Sequence, residues 1–122
     1  MKIYLAHSRE MDYRNDLYLP LRSESYFENH ELILPHEIER PVNTREFYRT
    51  IDVFIAECSY PATGLGIEMG WVYDDGKEIY CVYKKGAKIS SAISAVTDRF
   101  YEYSNSKELV TIIKDIVENN VI

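Results

Sequence analysis

Chemistry in this chain is most readily placed at Glu68, within Pro61-Ala62-Thr63-Gly64-Leu65-Gly66-Ile67-Glu68-Met69-Gly70. Pro61, Gly64 and Gly66 break the apolar run that precedes them, and a helix is expected from residue 66 to about 75. Glu68 then sits about one turn inside that helix. Unpaired N–H groups and the dipole of a helix start favour a negative charge by about 0.3–1 kcal/mol, so an ionised carboxylate is expected there. Such a group can attack an electrophilic carbon or face a developing positive charge. The same placement also serves an acidic residue that only stabilises its own helix. Other polar groups gather in loops: His7, Ser8 and Arg9 after one apolar run, His36 and Glu37 after another, and Lys84, Lys85 and Lys88 further on. Arg9 and these lysines supply enough positive charge for one phosphate.

The elements that must position these groups alternate. Strands are expected over 2–6, 31–34, 51–57, 78–83 and 99–103. A helix over about 13–27 carries Leu17, Leu19 and Leu21 and is interrupted or bent by Pro20. Another runs over about 43–50. The helix holding Glu68 presents Ile67, Trp71 and Val72, extended by Met69 and Tyr73, and stops at Gly76. A short helix over 90–96 follows, and Asn105 caps the next, with Glu108 placed as in a capping box and Leu109, Ile112, Ile113, Ile116 and Val117 on one stripe. The pattern predicts an α/β fold: a five-stranded parallel doubly wound sheet of flavodoxin-like order 2-1-3-4-5. Its crevice falls between strands one and three, beside loops 7–9 and 61–66.

Composition narrows the function classes. The 122 residues are expected to form one domain, 1–122, with no linker or repeat. Hydrophobic residues make up 46% and glycine and proline are few, which argues against disorder. A net charge of −6 disfavours a nucleic-acid polymer as partner. The first strand meets His7 and charges too early for a signal-peptide core, and no window is apolar enough to span a membrane. Cys58 and Cys81 lack metal or C-x-x-C spacing and read as buried free thiols in a reducing cytoplasm. Gly64, Gly66 and Gly70 do not make a dinucleotide fingerprint, and no P-loop is present, so neither cofactor nor metal is expected. Most of the eleven tyrosines are expected in the core or an interface.

The run from Ile51-Asp52 through Ile55-Ala56-Glu57 and on through residues 61–70 resembles the nucleoside 2-deoxyribosyltransferase family, including the 2'-deoxynucleoside 5'-monophosphate N-glycosidases. The similarity continues through Gly76-Lys77 and the strand that follows, and takes in the opening Lys2-Ile3-Tyr4-Leu5-Ala6. It implies an enzyme, a homodimer or dimer of dimers, that cleaves or transfers the N-glycosidic bond of a small deoxynucleoside or deoxynucleotide. Glu68 matches the family's nucleophile, and Tyr4 a tyrosine beside it. A 2-deoxy sugar lacks the electron-withdrawing hydroxyl, so an oxocarbenium-like state is reached readily and a nearby carboxylate can trap it. The resemblance places His7, Ser8 and Arg9 at the sugar or its 5'-phosphate, and Ser91 at the neighbouring subunit's site; a helix N-cap is the alternative for Ser91. Thr63, Gly64 and Gly66 belong to the binding loop. His36 or Glu37 could protonate the leaving base, and Asn43 or Glu46 could contact it. Asp52 is expected at the opposite edge of the sheet, away from the chemistry.

Two positions depart from the family pattern: Ala62 replaces a serine or aspartate, and Thr44 an aspartate. They motivate a second reading, a nucleotide-binding or sensing module without turnover. A weaker third is cleavage of another N-riboside such as NAD.

Overall fold

A strand buried on both faces must alternate its side chains between two apolar layers, and β1, Lys2–His7, does so one place in from the edge of the sheet. The structure is a computed structural model and describes residues 1–37 and 45–121. β2 (Glu31–Ile33), β3 (Val53–Glu57), β4 (Ile79–Lys84) and β5 (Phe100–Tyr103) complete one parallel sheet of order β2-β1-β3-β4-β5, the expected topology. Register sets Ile3 against Val53 and His7 against Glu57, so the carboxyl ends of the two central strands lie side by side.

On one face Ile3, Leu5, Val53, Ile55 and Val82 meet Leu17, Leu21, Leu109, Ile113, Ile116 and Val117. The helices there are α1 (Leu19–Arg22) and α4 (Ser106–Asn120). On the other face Tyr4, Ala6, Phe54, Ala56, Ile79 and Cys81 meet Tyr48, Leu65, Met69 and Val72, from α2 (Arg45–Arg49) and α3 (Thr63–Asp74). The loop after β1 leads to the first face and the loop after β3 to the second, which opens a crevice between them. No helix among the described residues is long and apolar enough to cross a membrane.

Several elements differ from the sequence expectation. The helix expected over 13–27 is a wide turn, Arg14–Tyr18, then α1, then a 3-10 turn, Ser25–Asn29. Pro20 lies in the first turn of α1, where a missing N–H costs nothing, and Leu19 is 62% exposed. α3 starts at Thr63 rather than Gly66, because Leu65, Met69 and Val72 at i, i+4, i+7 bury well enough to carry three helical glycines, Gly64, Gly66 and Gly70, at about 1 kcal/mol each. Its buried stripe is therefore not the one through Ile67 and Tyr73, which are 49% and 54% exposed. α3 closes on Gly76 at φ +76°, a conformation that favours glycine. In α4 the Asn105 side chain accepts the Glu108 N–H at 2.9 Å, while Glu108 reaches the N–H of Ser104 at 2.7 Å, one residue beyond the usual box.

α2 has five residues, too few to persist alone. Burial of Tyr48, 1% exposed, contributes about 1.5–3 kcal/mol. The pairs Arg45–Asp74, Arg45–Asp75 and Arg49–Asp75, with exposed guanidinium groups, are screened by solvent and add little. Lys77 closes the end of the helix, its Nζ donating to the carbonyls of Arg49 at 2.6 Å, Ile51 at 2.5 Å and Tyr48 at 3.3 Å. Asp52 accepts the Lys2 N–H at 2.7 Å at the amino edge of the sheet, a structural task.

Candidate active site

Glu68 is the sixth residue of α3, past the first turn, so the dipole of the helix start acts on it weakly. Its side chain lies beside the Leu65/Met69 stripe and is half-buried, and Oε2 is buried with no hydrogen-bond partner among the described residues. Burial pushes its pKa up, the hydroxyls of Tyr4 and Tyr48 pull it back, and the balance is about 7. The expectation of a carboxylate ionised by the helix start is thereby corrected: near neutral pH this group is poised between its two forms.

Tyr4 from β1 and Tyr48 from α2 form the wall against which the carboxyl lies. Their hydroxyls are 3.4 Å apart, and both rings are buried. Tyr4 stacks on Phe54 at 5.6 Å and meets Tyr48 edge-on at 5.4 Å. Burial raises the Tyr4 phenol far above its ordinary value, and the nearby Glu68 charge adds to the rise. Tyr48 is pushed up to about 12, again chiefly by burial. Both phenols are therefore donors, not phenolates, at any physiological pH.

Across the crevice a second cluster is built on His7. Its Nδ1 lies 2.9 Å from the Ser8 carbonyl, which only accepts, so the proton is assigned to Nδ1. Nε2 then accepts from the Tyr18 hydroxyl at 2.7 Å, and that hydroxyl in turn accepts the His36 N–H at 2.9 Å. Tyr13 lies against both imidazoles, at 4.7 Å from His7 and 4.6 Å from His36. Burial lowers the pKa of both histidines; His36 also lowers that of His7, and Arg9 and Arg14 lower that of His36. Both imidazoles are neutral at pH 7. The Tyr18 phenol is raised, mainly by burial, and feels the Glu68 charge, which ties the two clusters electrostatically.

The remaining sequence candidates fall as follows. Ser8 is buried, its hydroxyl accepting the Glu10 N–H at 3.1 Å, while Arg9 is exposed and makes no ion pair among the described residues. Glu37 is held by Arg22 at 2.6 and 3.1 Å, a surface pair. Asn43 and Thr44 lie outside the described residues. Thr63 and Gly66 line a hollow of about 470 Å³ together with Tyr60, Leu65, Met69 and Ile93, and neither Glu68 nor Tyr4 lines it. Gly64, one turn before Glu68, has nothing within 4 Å of where a Cβ would stand. Ser90, not Ser91, caps the 3-10 turn Ser91–Ala95, its hydroxyl accepting the Ala92 N–H at 3.4 Å, and Ser91 is exposed. Cys58 and Cys81 are buried free thiols, as expected.

Three groups escaped the sequence reading. Tyr48 and Tyr18 were indistinguishable from core tyrosines. Glu57, 1% exposed at the end of β3, accepts the Ser59 N–H at 2.6 Å, the Ser59 hydroxyl at 2.8 Å and the Tyr103 hydroxyl. Ser59 Oγ also accepts the Lys84 N–H at 2.8 Å, so one carboxyl pins the carboxyl ends of β3, β4 and β5 and the loop into α3. Burial raises the Glu57 pKa against the pull of these donors. An acidic residue closing an otherwise apolar strand was the available signal.

A scan of protein-family models and a search of curated proteins each give no match. Among solved structures the chain is similar to a CMP N-glycosidase of Clostridium botulinum, BcmB, at 23% identity and a TM-score of 0.63. The match covers 93% of this chain and 99% of that one. The likeness is one of fold.

Proposed function

We propose that this chain cleaves the N-glycosidic bond of a nucleoside or nucleoside 5'-monophosphate, with Glu68 as nucleophile. The observation that carries the reading is the buried Glu68 carboxyl, one oxygen without a partner among the described residues, beside the paired hydroxyls of Tyr4 and Tyr48. The fold shared with a protein named as a CMP N-glycosidase supports it. That protein's name concerns a ribonucleotide, so the sugar is an open arm of the test rather than fixed as 2-deoxyribose.

In the reaction the ionised Glu68 attacks C1' as the C1'–N bond breaks, its electron pair leaving on the base nitrogen, which takes a proton. Water then attacks C1' of the glycosyl ester, gives up a proton, and restores the carboxylate. A free base in place of water gives transfer. Neutral His36 is suited to accept a proton from water rather than to protonate the departing base. Arg9 with Arg14, both acting on His36, supplies the positive field that a 5'-phosphate needs. The protein acts as a single domain in a reducing cytoplasm. It assembles as a homodimer in which exposed Ser91 reaches the neighbouring copy's site.

The test is incubation with ribo- and deoxynucleosides and their 5'-monophosphates, with and without a free acceptor base, followed by chromatography. Released base is expected, and Glu68→Ala abolishes it with the fold intact. Product formation by Glu68→Ala at the native rate overturns the nucleophile. Saturable binding with no product favours the sensing module.

A further inference from the structure

We propose that Tyr48 is a second positioning residue of this site: its hydroxyl, paired with that of Tyr4, holds the Glu68 carboxylate aligned for attack. The inference rests on the glycosidase reading above and extends it to a residue on a different element.

A phenol hydroxyl withdrawn from water loses free energy unless it finds a partner, and phenylalanine would fill the same space without that loss. Tyr48 is 1% exposed, and its ring is locked by Tyr4 at 5.4 Å, Phe47 at 5.4 Å and Trp71 at 5.6 Å. Packing thus accounts for the ring but not for the oxygen. Among the described residues that oxygen has the Tyr4 hydroxyl, at 3.4 Å, as its hydrogen-bond partner, and the Glu68 carboxyl, whose Oε2 is buried without a described partner, lies close enough to raise its pKa. Two phenols bring two protons. When one is shared between the oxygens, the other is left for Glu68.

The position of Tyr48 is itself secured from outside the site. Lys77 grips the carbonyls of Tyr48, Arg49 and Ile51, and Arg45 and Arg49 pair with Asp74 and Asp75 at the end of α3. α2 and α3 are thereby clamped, so the distance between a residue of one and Glu68 of the other is fixed. Among the described residues the groups facing Glu68 are Tyr4 from β1, Tyr48 from α2 and, at longer range, Tyr18 before α1. No described lysine, arginine or histidine is among those that shift it. With no cation among the described residues to hold the charge, the ionised form depends on these donors, and removing one moves the carboxyl towards its protonated, non-nucleophilic state.

The experiment compares full-length wild type, Tyr48→Phe and Tyr4→Phe, each checked by circular dichroism and melting. The Glu68 carboxyl is titrated by infrared difference spectroscopy against Glu68→Gln. In parallel, kcat and KM are followed against pH on whichever nucleoside 5'-monophosphate the wild type cleaves. In Tyr48→Phe the carboxyl midpoint should rise by about one pH unit. kcat should fall about tenfold below that midpoint and recover above it, with KM changed less than about twofold. A folded Tyr48→Phe whose midpoint equals that of the wild type overturns the proposal. Because the spectroscopic titration needs no substrate, a wild type that cleaves nothing refutes the glycosidase reading alone, and the midpoint still decides the role of Tyr48.

Discussion

A carboxyl that folding carries from an ordinary pKa of 4.5 to about 7 weakens the fold wherever it must ionise, which makes Glu68 a measurable liability. The native state keeps its proton to higher pH than the unfolded chain does. This contribution is therefore fully present below about pH 4.5 and is lost as pH rises through about 7. At about 1.4 kcal/mol per pH unit, the interval amounts to about 3 kcal/mol. Glutamine has the shape of the protonated acid and no charge to lose. Glu68→Gln should match the wild type near pH 4.5 and exceed it by about 3 kcal/mol at pH 8.5. For a chain of this size that is about 12 °C in Tm, at about 4 °C per kcal/mol. Urea unfolding followed by circular dichroism at several pH values reads the difference, with the m-value held as a check on the unfolded state. A stability difference that does not grow between pH 5 and 8.5 would show that Glu68 titrates as an ordinary surface acid. The desolvated nucleophile would then have no basis.

Two further outcomes follow from neighbouring features. Tyr103→Phe removes one donor from the buried Glu57 carboxylate and should cost about 1.5–3 kcal/mol at pH 8. The cost should be smaller at pH 5, since the Glu57 pKa is raised and its protonated form needs fewer donors; equal urea midpoints for mutant and wild type at pH 8 would refute this. Gly64→Ala adds a methyl that meets nothing within 4 Å, and should stabilise the helix by about 0.5–1 kcal/mol while lowering kcat/KM by crowding the face that leads to Glu68. A rise in Tm with unchanged kcat/KM would remove that face from the substrate path.

The sheet order was legible because each strand is a short apolar run between breakers, and parallel strands buried on both sides leave few arrangements. That Glu68 rides the helix after β3 was legible for the same reason, but its environment was not. Two glycines read as loop, so the helix start was set at Gly66, three residues late, and the dipole was credited with a charge that burial disfavours. The buried stripe was misjudged too, since Ile67 and Tyr73 are as apolar as Leu65 and Val72 and only the direction of approach of the sheet separates them. Tyr48 and Tyr18 were hidden among eleven tyrosines, because what distinguishes them is the partner of one oxygen, which is a matter of tertiary distance. Asn43 lies outside the described residues, so its contact with a base stays an expectation.

The pairing of β1 with β3 also governs how the polypeptide reaches this state. β1 must wait for Val53–Glu57 before its inner edge is satisfied, and the layer over Ile3, Leu5, Val53 and Ile55 is closed by Leu109, Ile113 and Val117 of α4. No stretch of nascent chain shorter than this can seal its greasy side. A ribosome stalled before Ser106, or a protease cutting there, would release a sheet bare along one flank. Such a fragment is destined for chaperones or aggregates rather than for use as a smaller working unit.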